Sequence, residues 1–263
     1  MSKKVHKHER VNDILLGSLE RPALKWLAEH MPKWVTPDHM TGIGIFASVL
    51  IFVGYALVPV SKIFLWLASF GFVLNWFGDS LDGTLARHRH IERPRFGFFI
   101  DHSVDAFSAV MIFLGLGLSG MVPFALSALA AIAYLMNMIL VYLKTYVTGV
   151  FEMTGIKIGP TEIRLLAIMI NTLVFFFGNP IFSLPWVGEI TIFSMAVVII
   201  TVLLFAYFLI KTALEGSRLA LLDGRRLEQR LAQKEKQSTK DQKKVEKKEQ
   251  KEVNQRSKVG KKG

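Results

Sequence analysis

Long apolar runs separated by short polar breaks dominate the chain from residue 40 to residue 212. Six of them reach bilayer-spanning length as helices, near 40–58, 63–87, 96–118, 122–146, 162–180 and 190–212. Ahead of them, the segment from Val11 to Met31 is amphipathic. Ile14, Leu15, Leu19, Leu24, Trp26 and Leu27 alternate with Asp13, Glu20, Lys25 and Glu29, and Pro22 interrupts the run. This pattern predicts an interfacial helix lying on a membrane; a surface helix of a soluble protein has the same signature. Lys3, Lys4, Lys7 and Arg10 are not followed by an apolar core with a small-residue cleavage site, so this stretch does not read as a secretory signal. The expected fold class is all-α integral membrane, with six transmembrane helices behind an N-terminal interfacial amphipathic helix.

Composition supports that class. The 263 residues are 51% apolar and 20% charged, with a mean hydropathy of +0.37, too apolar for an ordinary soluble domain. A disordered chain or a simple nucleic-acid-binding domain is excluded as the whole protein. The absence of cysteine excludes a disulfide scaffold, a Cys-ligated zinc site and thiol catalysis. The net charge of +11 is uneven: residues 215–263 hold 16 of the 32 Lys and Arg but only 8 of the 21 Asp and Glu. Three regions follow: 1–39 with the interfacial helix, 40–214 as the six-helix transmembrane domain, and 215–263 as a basic tail. The tail after Arg218 is too polar to bury a core and reads as a frayed helix or a disordered segment. It suits attraction to anionic headgroups or plain solvation. Without aromatic residues to stack on bases, it offers no specific nucleic-acid site.

The loops carry a charge asymmetry. Arg87, Arg89, Arg93, Arg95, Lys144, Lys157 and Arg164 fall on one side together with both basic ends, and only Lys62 falls on the other. Positive charge marks the cytoplasmic side, so both termini are expected there, and an even number of spans agrees. There is no repeat of 20–50 residues, and no glycine-rich loop follows a strand, which removes the Rossmann and P-loop readings.

Four aspartates sit in or near the apolar zone, where an ionised carboxylate is costly and therefore a functional candidate. Asp79 and Asp82 are three apart and share a helix face; Asp101 and Asp105 are four apart and share a face of the next helix. The short connection makes the two helices antiparallel neighbours, so all four carboxylates can converge. Gly83 and Gly97 can let helices pack closely or let a ligand reach the backbone. Four like charges need compensation. Two divalent cations would supply it, and oxygen ligands favour Mg²⁺, Mn²⁺ or Ca²⁺. Paired metals of this kind clamp phosphoryl groups. The residues alone leave other readings open: a proton or cation pathway of a transporter, structural salt bridges to Arg87, Arg93 and Arg95, or a cation site without chemistry.

Asp79-x-x-Asp82-Gly83-x-x-Ala86-Arg87, nine residues, then Gly97-x-x-x-Asp101-x-x-x-Asp105 resembles the signature of the CDP-alcohol phosphotransferase family. The match covers 27 residues with eight identities at set spacings. The six spans and the interfacial helix are also similar to that family, over roughly residues 11–215. The resemblance implies transfer of a substituted phosphate from a CDP-linked donor to an alcohol or lipid acceptor, with release of CMP and formation of a phospholipid. Either CDP-diacylglycerol or a CDP-alcohol fits as donor. It implies Asp79, Asp82, Asp101 and Asp105 as ligands of two divalent cations, Mg²⁺ or Mn²⁺, with Asp105 as general base. Gly83 would admit the cytidine nucleotide and Arg87 would face donor phosphate; Ala86 and Gly97 complete the nucleotide-binding signature. A homodimer among membrane lipids is also implied.

Shorter features refine this. Asp101-His102 and Gly159-Pro160-Thr161-Glu162 resemble elements of the choline/ethanolamine phosphotransferase branch. A His102–Glu162 pair is then an alternative base, set against a plain capping or pairing role for His102. Thr36-Pro37-Asp38-x-x-Thr41 resembles the family's Thr-Pro-Asn-x-x-Thr element. Lys144, Tyr146, Lys157 and Arg164 are candidates for an acceptor phosphate, although topology alone explains such charges. His6, His8, His88 and His90 read as solvated or phosphate-facing, not as metal ligands. The expected location is a prokaryotic cytoplasmic membrane, with the active site facing the cytoplasm.

Overall fold

Proline sets where several helices begin. The computed structural model describes residues 16–149, 159–184 and 188–259. Among these, the helices are α1 (Gly17–His30), α2 (Pro37–Ala56), α3 (Phe64–His88), α4 (Pro94–Leu118), α5 (Phe124–Thr148), α6 (Pro160–Phe177) and α7 (Ile192–Val259). A proline opens α2, α4 and α6, where its missing N–H costs nothing and its fixed φ suits the first turn. At α2 the Thr36 hydroxyl accepts the His39 N–H at 3.3 Å, and His39 Nδ1 accepts the Thr36 N–H at 3.1 Å.

The six expected runs all become helices. Among the described residues, five helices are long and apolar enough to cross a membrane: α2, α4, α5, α6 and the N-terminal part of α7. α3 has the length, but Asn75, Asp79 and Asp82 dilute its apolar character. One expectation needs correction. The amphipathic segment is not interrupted at Pro22; α1 passes through it, and Leu24 and Ala28 are buried in a cluster with Leu81 and Leu85 of α3. The connection after α6 carries a short hairpin beside the helices: β1 (Ile181–Leu184) pairs antiparallel with β2 (Gly188–Thr191), β-branched and aromatic residues giving this stretch its strand character. The expected interfacial segment before Leu16 and the connection holding Lys157 lie outside the described residues.

Contacts divide the chain after Phe208. The second unit is the rest of α7, helical to Val259, as its Ala, Glu, Lys, Gln and Arg content favours. In the first unit, α2 packs on α3 and α4, α5 on α4, α6 on α3, and α1 on α3. A main core joins Ile51, Tyr55, Phe72, Leu116 and Val174. Outward side chains such as Phe46, Phe70, Leu143 and Leu203 stay exposed, as suits a surface facing lipid.

Backbone contact between α2 and α3 places everything that follows. A Cβ at Gly78 would stand 2.6 Å from both Gly44 N and Met40 O, and one at Gly54 would stand 2.6 Å from Ala68 N. Small residues at these levels let the two helices touch main chain to main chain. Buried polar groups cross-link the bundle: Tyr55 OH donates to Asn171 Oδ1 at 3.0 Å, and Asn171 Nδ2 donates to Ser69 Oγ at 3.2 Å. Each such group, buried among apolar side chains, needs a hydrogen-bond partner.

The α3–α4 turn is fixed from two sides. His90 adopts a left-handed conformation, φ 57°, and the Ile91 N–H reaches back to Ala86 O at 3.0 Å, closing the helix end. Arg89 donates to the carbonyls of Met31 (3.0 Å) and Pro32 (2.9 Å) and also to that of Val35, joining the α1–α2 connection to the foot of α3. Two substitutions test the helix contact. Gly78→Ala should lower the thermal midpoint in detergent, at a cost of about 1–3 kcal/mol for overpacking. Gly42→Ala, with nothing within 4 Å of the added Cβ, should leave the midpoint unchanged or slightly raised.

Candidate active site

α3 carries Asp79 and Asp82 one turn apart, and α4 carries Asp101 and Asp105 one turn apart. The α3–α4 turn folds these helices together, and all four carboxylates line one cleft with Thr41 and Gly44 of α2. The spacing argument therefore holds in three dimensions.

Each carboxylate has a defined neighbour. Asp82 Oδ2 accepts a hydrogen bond from Thr41 Oγ1 at 2.9 Å, and Oδ1 accepts from the Gly83 N–H. Asp79 Oδ2 pairs with Arg164 Nη2 at 2.6 Å; the two side chains are 21% and 12% exposed. His102 Nδ1 lies 3.8 Å from Oδ2 of both Asp101 and Asp105. Its ring stacks on Tyr142 at a centroid distance of 5.0 Å and meets Phe98 edge-on at 4.1 Å. Ligand atoms of Asp101, His102 and Asp105 all lie within 4.8 Å of one another, a group able to hold a metal ion.

The glycines of the signature do not serve helix packing. A Cβ at Gly97 would meet nothing within 4 Å, and one at Gly83 would meet only the Arg87 side chain, at 3.2 Å. The close α2–α3 contacts fall instead on Gly54, Gly71 and Gly78. Arg87 Nη2 donates to Thr84 Oγ1 at 3.2 Å on its own helix. Ala86 lies on the same last turns of α3, its carbonyl engaged by Ile91. Arg93 pairs with Asp38 of α2 and lies over the Phe96 ring at 4.3 Å.

Glu162 is placed as a cap. Its Oε2 accepts the Gly159 N–H at 2.9 Å, and its Oε1 accepts the Leu16 N–H at 3.0 Å. Its two oxygens thus serve one backbone donor at the start of α6 and one at the start of α1. Tyr146 is exposed near the end of α5. His88 ends α3, and His90 forms the left-handed turn residue. Lys157, His6 and His8 lie outside the described residues.

Three contributors are not legible as such from spacing. Asn75 donates to Gly44 O at 3.1 Å and to Ser48 Oγ at 3.2 Å, and accepts from Arg164 Nε at 2.9 Å. Its only sequence signal is a polar residue inside an apolar run. Thr41 grips Asp82 across helices. Glu20 of α1 accepts at Oε1 from Trp76 Nε1 (2.8 Å), Ser80 Oγ (3.2 Å) and Thr161 Oγ1 (2.9 Å), tying α1 to α3 and α6. In the sequence it reads as one more residue on a polar helix face.

The family model for CDP-alcohol phosphatidyltransferases matches residues 34–219. The phosphatidylinositol phosphate synthase of Cutibacterium acnes is 38% identical over 86 residues, 32% of this chain and 38% of that protein. Cholinephosphotransferase 1 of Homo sapiens is 26% identical over 204 residues, 72% of this chain and 48% of that protein. Cholinephosphotransferase 1 of Danio rerio is 30% identical over 96 residues, 34% of this chain and 25% of that protein. The chain spans from about a quarter to about half the length of the curated relatives it matches.

The Thr41 contact is open to test. Thr41→Val keeps the side-chain shape and removes the donor to Asp82. Contacts that orient a metal ligand, the role the sequence expects of Asp82, typically contribute 10–100-fold to metal affinity. Mn²⁺ titration followed by electron paramagnetic resonance should show binding weakened by about tenfold; unchanged binding would mean that Asp82 needs no such support.

Proposed function

We propose a reaction for a chain that belongs to the CDP-alcohol phosphatidyltransferase family, a family of transferases, and is an integral membrane protein: displacement of CMP from a CDP-linked donor by an alcohol hydroxyl, yielding a phospholipid. The observation that carries this reading is the convergence of Asp79, Asp82, Asp101 and Asp105 on one cleft. In this reading α3 is a sixth span beside the five apolar ones. Both termini and the cleft face the cytoplasm, α1 lies at the interface, and residues 40–214 form the catalytic domain between the 1–39 segment and the 215–263 tail. The basic loop residues support that orientation.

The family uses divalent metals, and the donor set fits them. Carboxylate oxygens suit Mg²⁺ or Mn²⁺, and one imidazole beside them is compatible with Mn²⁺. Asp79, Asp82, Asp101 and Asp105 would hold two ions, with His102 close enough to share in the Asp101–Asp105 site. When bound, these ions would neutralise the carboxylates and the donor diphosphate.

The remaining work falls to the chain itself. Open space over Gly97, and over Gly83 once the Arg87 side chain moves, leaves room for a nucleotide against the helix backbone. Arg87, at the mouth of α3, would then meet donor phosphate, with Ala86 keeping the approach narrow but clear. Asp105 would take the proton of the incoming hydroxyl as the C–O–P bond forms and CMP leaves. The capping bonds of Glu162 support a positioning role at the start of α6 and favour Asp105 over a His102–Glu162 pair as base. The transporter reading is weaker, because it does not account for the full nucleotide-binding signature between the aspartate pairs.

Two donor arms separate the finer alternatives. The chain resembles relatives named for both a phosphatidylinositol phosphate synthase and cholinephosphotransferases. Purified protein with Mg²⁺ or Mn²⁺ is offered CDP-diacylglycerol with pooled polar alcohols and alcohol phosphates, or CDP-choline or CDP-ethanolamine with diacylglycerol. Metal-dependent CMP release in one arm is expected and assigns the direction. Asp105→Asn should reduce release by at least about 10²-fold while the thermal midpoint stays near wild type. Absence of release in both arms would return the cluster to a cation-transport role.

A further inference from the structure

Arg164 stands out among the cations of the chain. Its side chain is only 12% exposed, and its guanidinium sits between two helices rather than at a loop. Nη2 is bonded to Asp79 and Nε to Asn75. Nη1 is buried and has no hydrogen-bond partner among the described residues.

The guanidinium is held by more than its own contacts. Asn75 must turn its amide nitrogen to Gly44 O, which only accepts, so its oxygen must face Arg164 Nε. Ser48 Oγ accepts from the same Asn75 nitrogen and lies 2.6 Å from Ser108 Oγ, itself a cleft residue. A chain of hydrogen bonds from α2, α3 and α4 therefore aims an α6 arginine at Asp79. A largely buried ion pair returns little as a structural device, since both partners lose hydration. It also leaves one donor unmet, which a purely structural guanidinium would avoid. The arrangement makes sense where Asp79 carries surplus negative charge from its neighbours.

We propose that Arg164 is the resident counter-ion of the aspartate cluster: a positioning residue that holds Asp79 in place in the metal-free protein and lowers the affinity of the cleft for divalent cations. This rests on the metal reading given above. A fixed positive charge at Asp79 offsets part of the repulsion among the four carboxylates, so the cleft persists without metal. The same charge opposes any arriving cation. Arg164 thereby trades tight metal binding for a site that stays assembled and exchanges its ions.

The test uses the full chain in detergent, stripped with EDTA and titrated with Mn²⁺ while the thermal midpoint is followed. Wild type should show a midpoint that rises with Mn²⁺. Arg164→Met, similar in length but neutral, should have a lower midpoint in EDTA, a larger rise with metal, and half-saturation at a Mn²⁺ concentration about tenfold lower. Arg164→Lys keeps the charge but lacks the fork that reaches both Asn75 and Asp79; it should move in the same direction by less, and it carries the comparison if Arg164→Met does not fold. A variant that loses the same number of degrees with and without metal, at unchanged half-saturation, would make Arg164 merely structural and overturn the proposal. A wild-type midpoint indifferent to Mn²⁺ would overturn the metal reading itself, and the proposal with it.

Discussion

Asp79, Asp82, Asp101 and Asp105 line one cleft, and four carboxylates in an apolar bundle repel one another strongly. Much of the surrounding structure answers that repulsion. Arg164 brings a positive charge to Asp79, Thr41 and the Gly83 N–H donate to Asp82, and His102 stands beside Asp101 and Asp105. These groups come from α2, α3, α4 and α6, so charge compensation and helix assembly are one problem. Arginines of the α3–α4 turn contribute differently: Arg89 holds backbone carbonyls of the α1–α2 connection, and Arg93 pairs with Asp38.

Holding such a cluster requires backbone precision that side-chain packing alone does not give. Glycines supply it where α2 and α3 meet: Gly44 and Gly78 touch directly, and Gly44 also receives Asn75 through its carbonyl. Gly78 thus sets the helix distance, and the Gly44 carbonyl opposite it orients the residue that steers Arg164. Outside this zone the helices rely on ordinary apolar contact, with their outer faces left to lipid.

α1 and the start of α6 act as a brace at one end of the bundle. Glu20 collects donors from α3 and α6, while Glu162 collects the backbone N–H groups of Gly159 and Leu16. Two acidic residues are thereby spent on assembly, close to the four aspartates of the cleft. The difference lies in their partners. Glu20 and Glu162 are met by neutral protein donors away from the cleft, whereas the four aspartates line the cleft itself.

The helices, their approximate ends and the grouping of the four aspartates were legible in the sequence, because apolar length and i, i+3 or i, i+4 spacing act locally and need no knowledge of neighbours. Proline at the start of α2, α4 and α6 made those ends legible too. Other features depended on which helix faces which. Pro22 inside α1 is tolerated because Leu24 and Ala28 anchor that helix on α3, and Glu20 is a brace only because Trp76, Ser80 and Thr161 surround it. Glu162 and His102 stand near family motifs in sequence, yet their partners, backbone N–H groups for one and Asp101, Asp105 and Tyr142 for the other, are set by packing. The sequence by itself determined an apolar helical chain with a paired-aspartate signature, since both are periodic properties of one strand of residues. Only the tertiary structure decided that Arg164, 85 positions from Asp79, is the charge that meets it, because no local periodicity records a contact between helices so far apart in the chain.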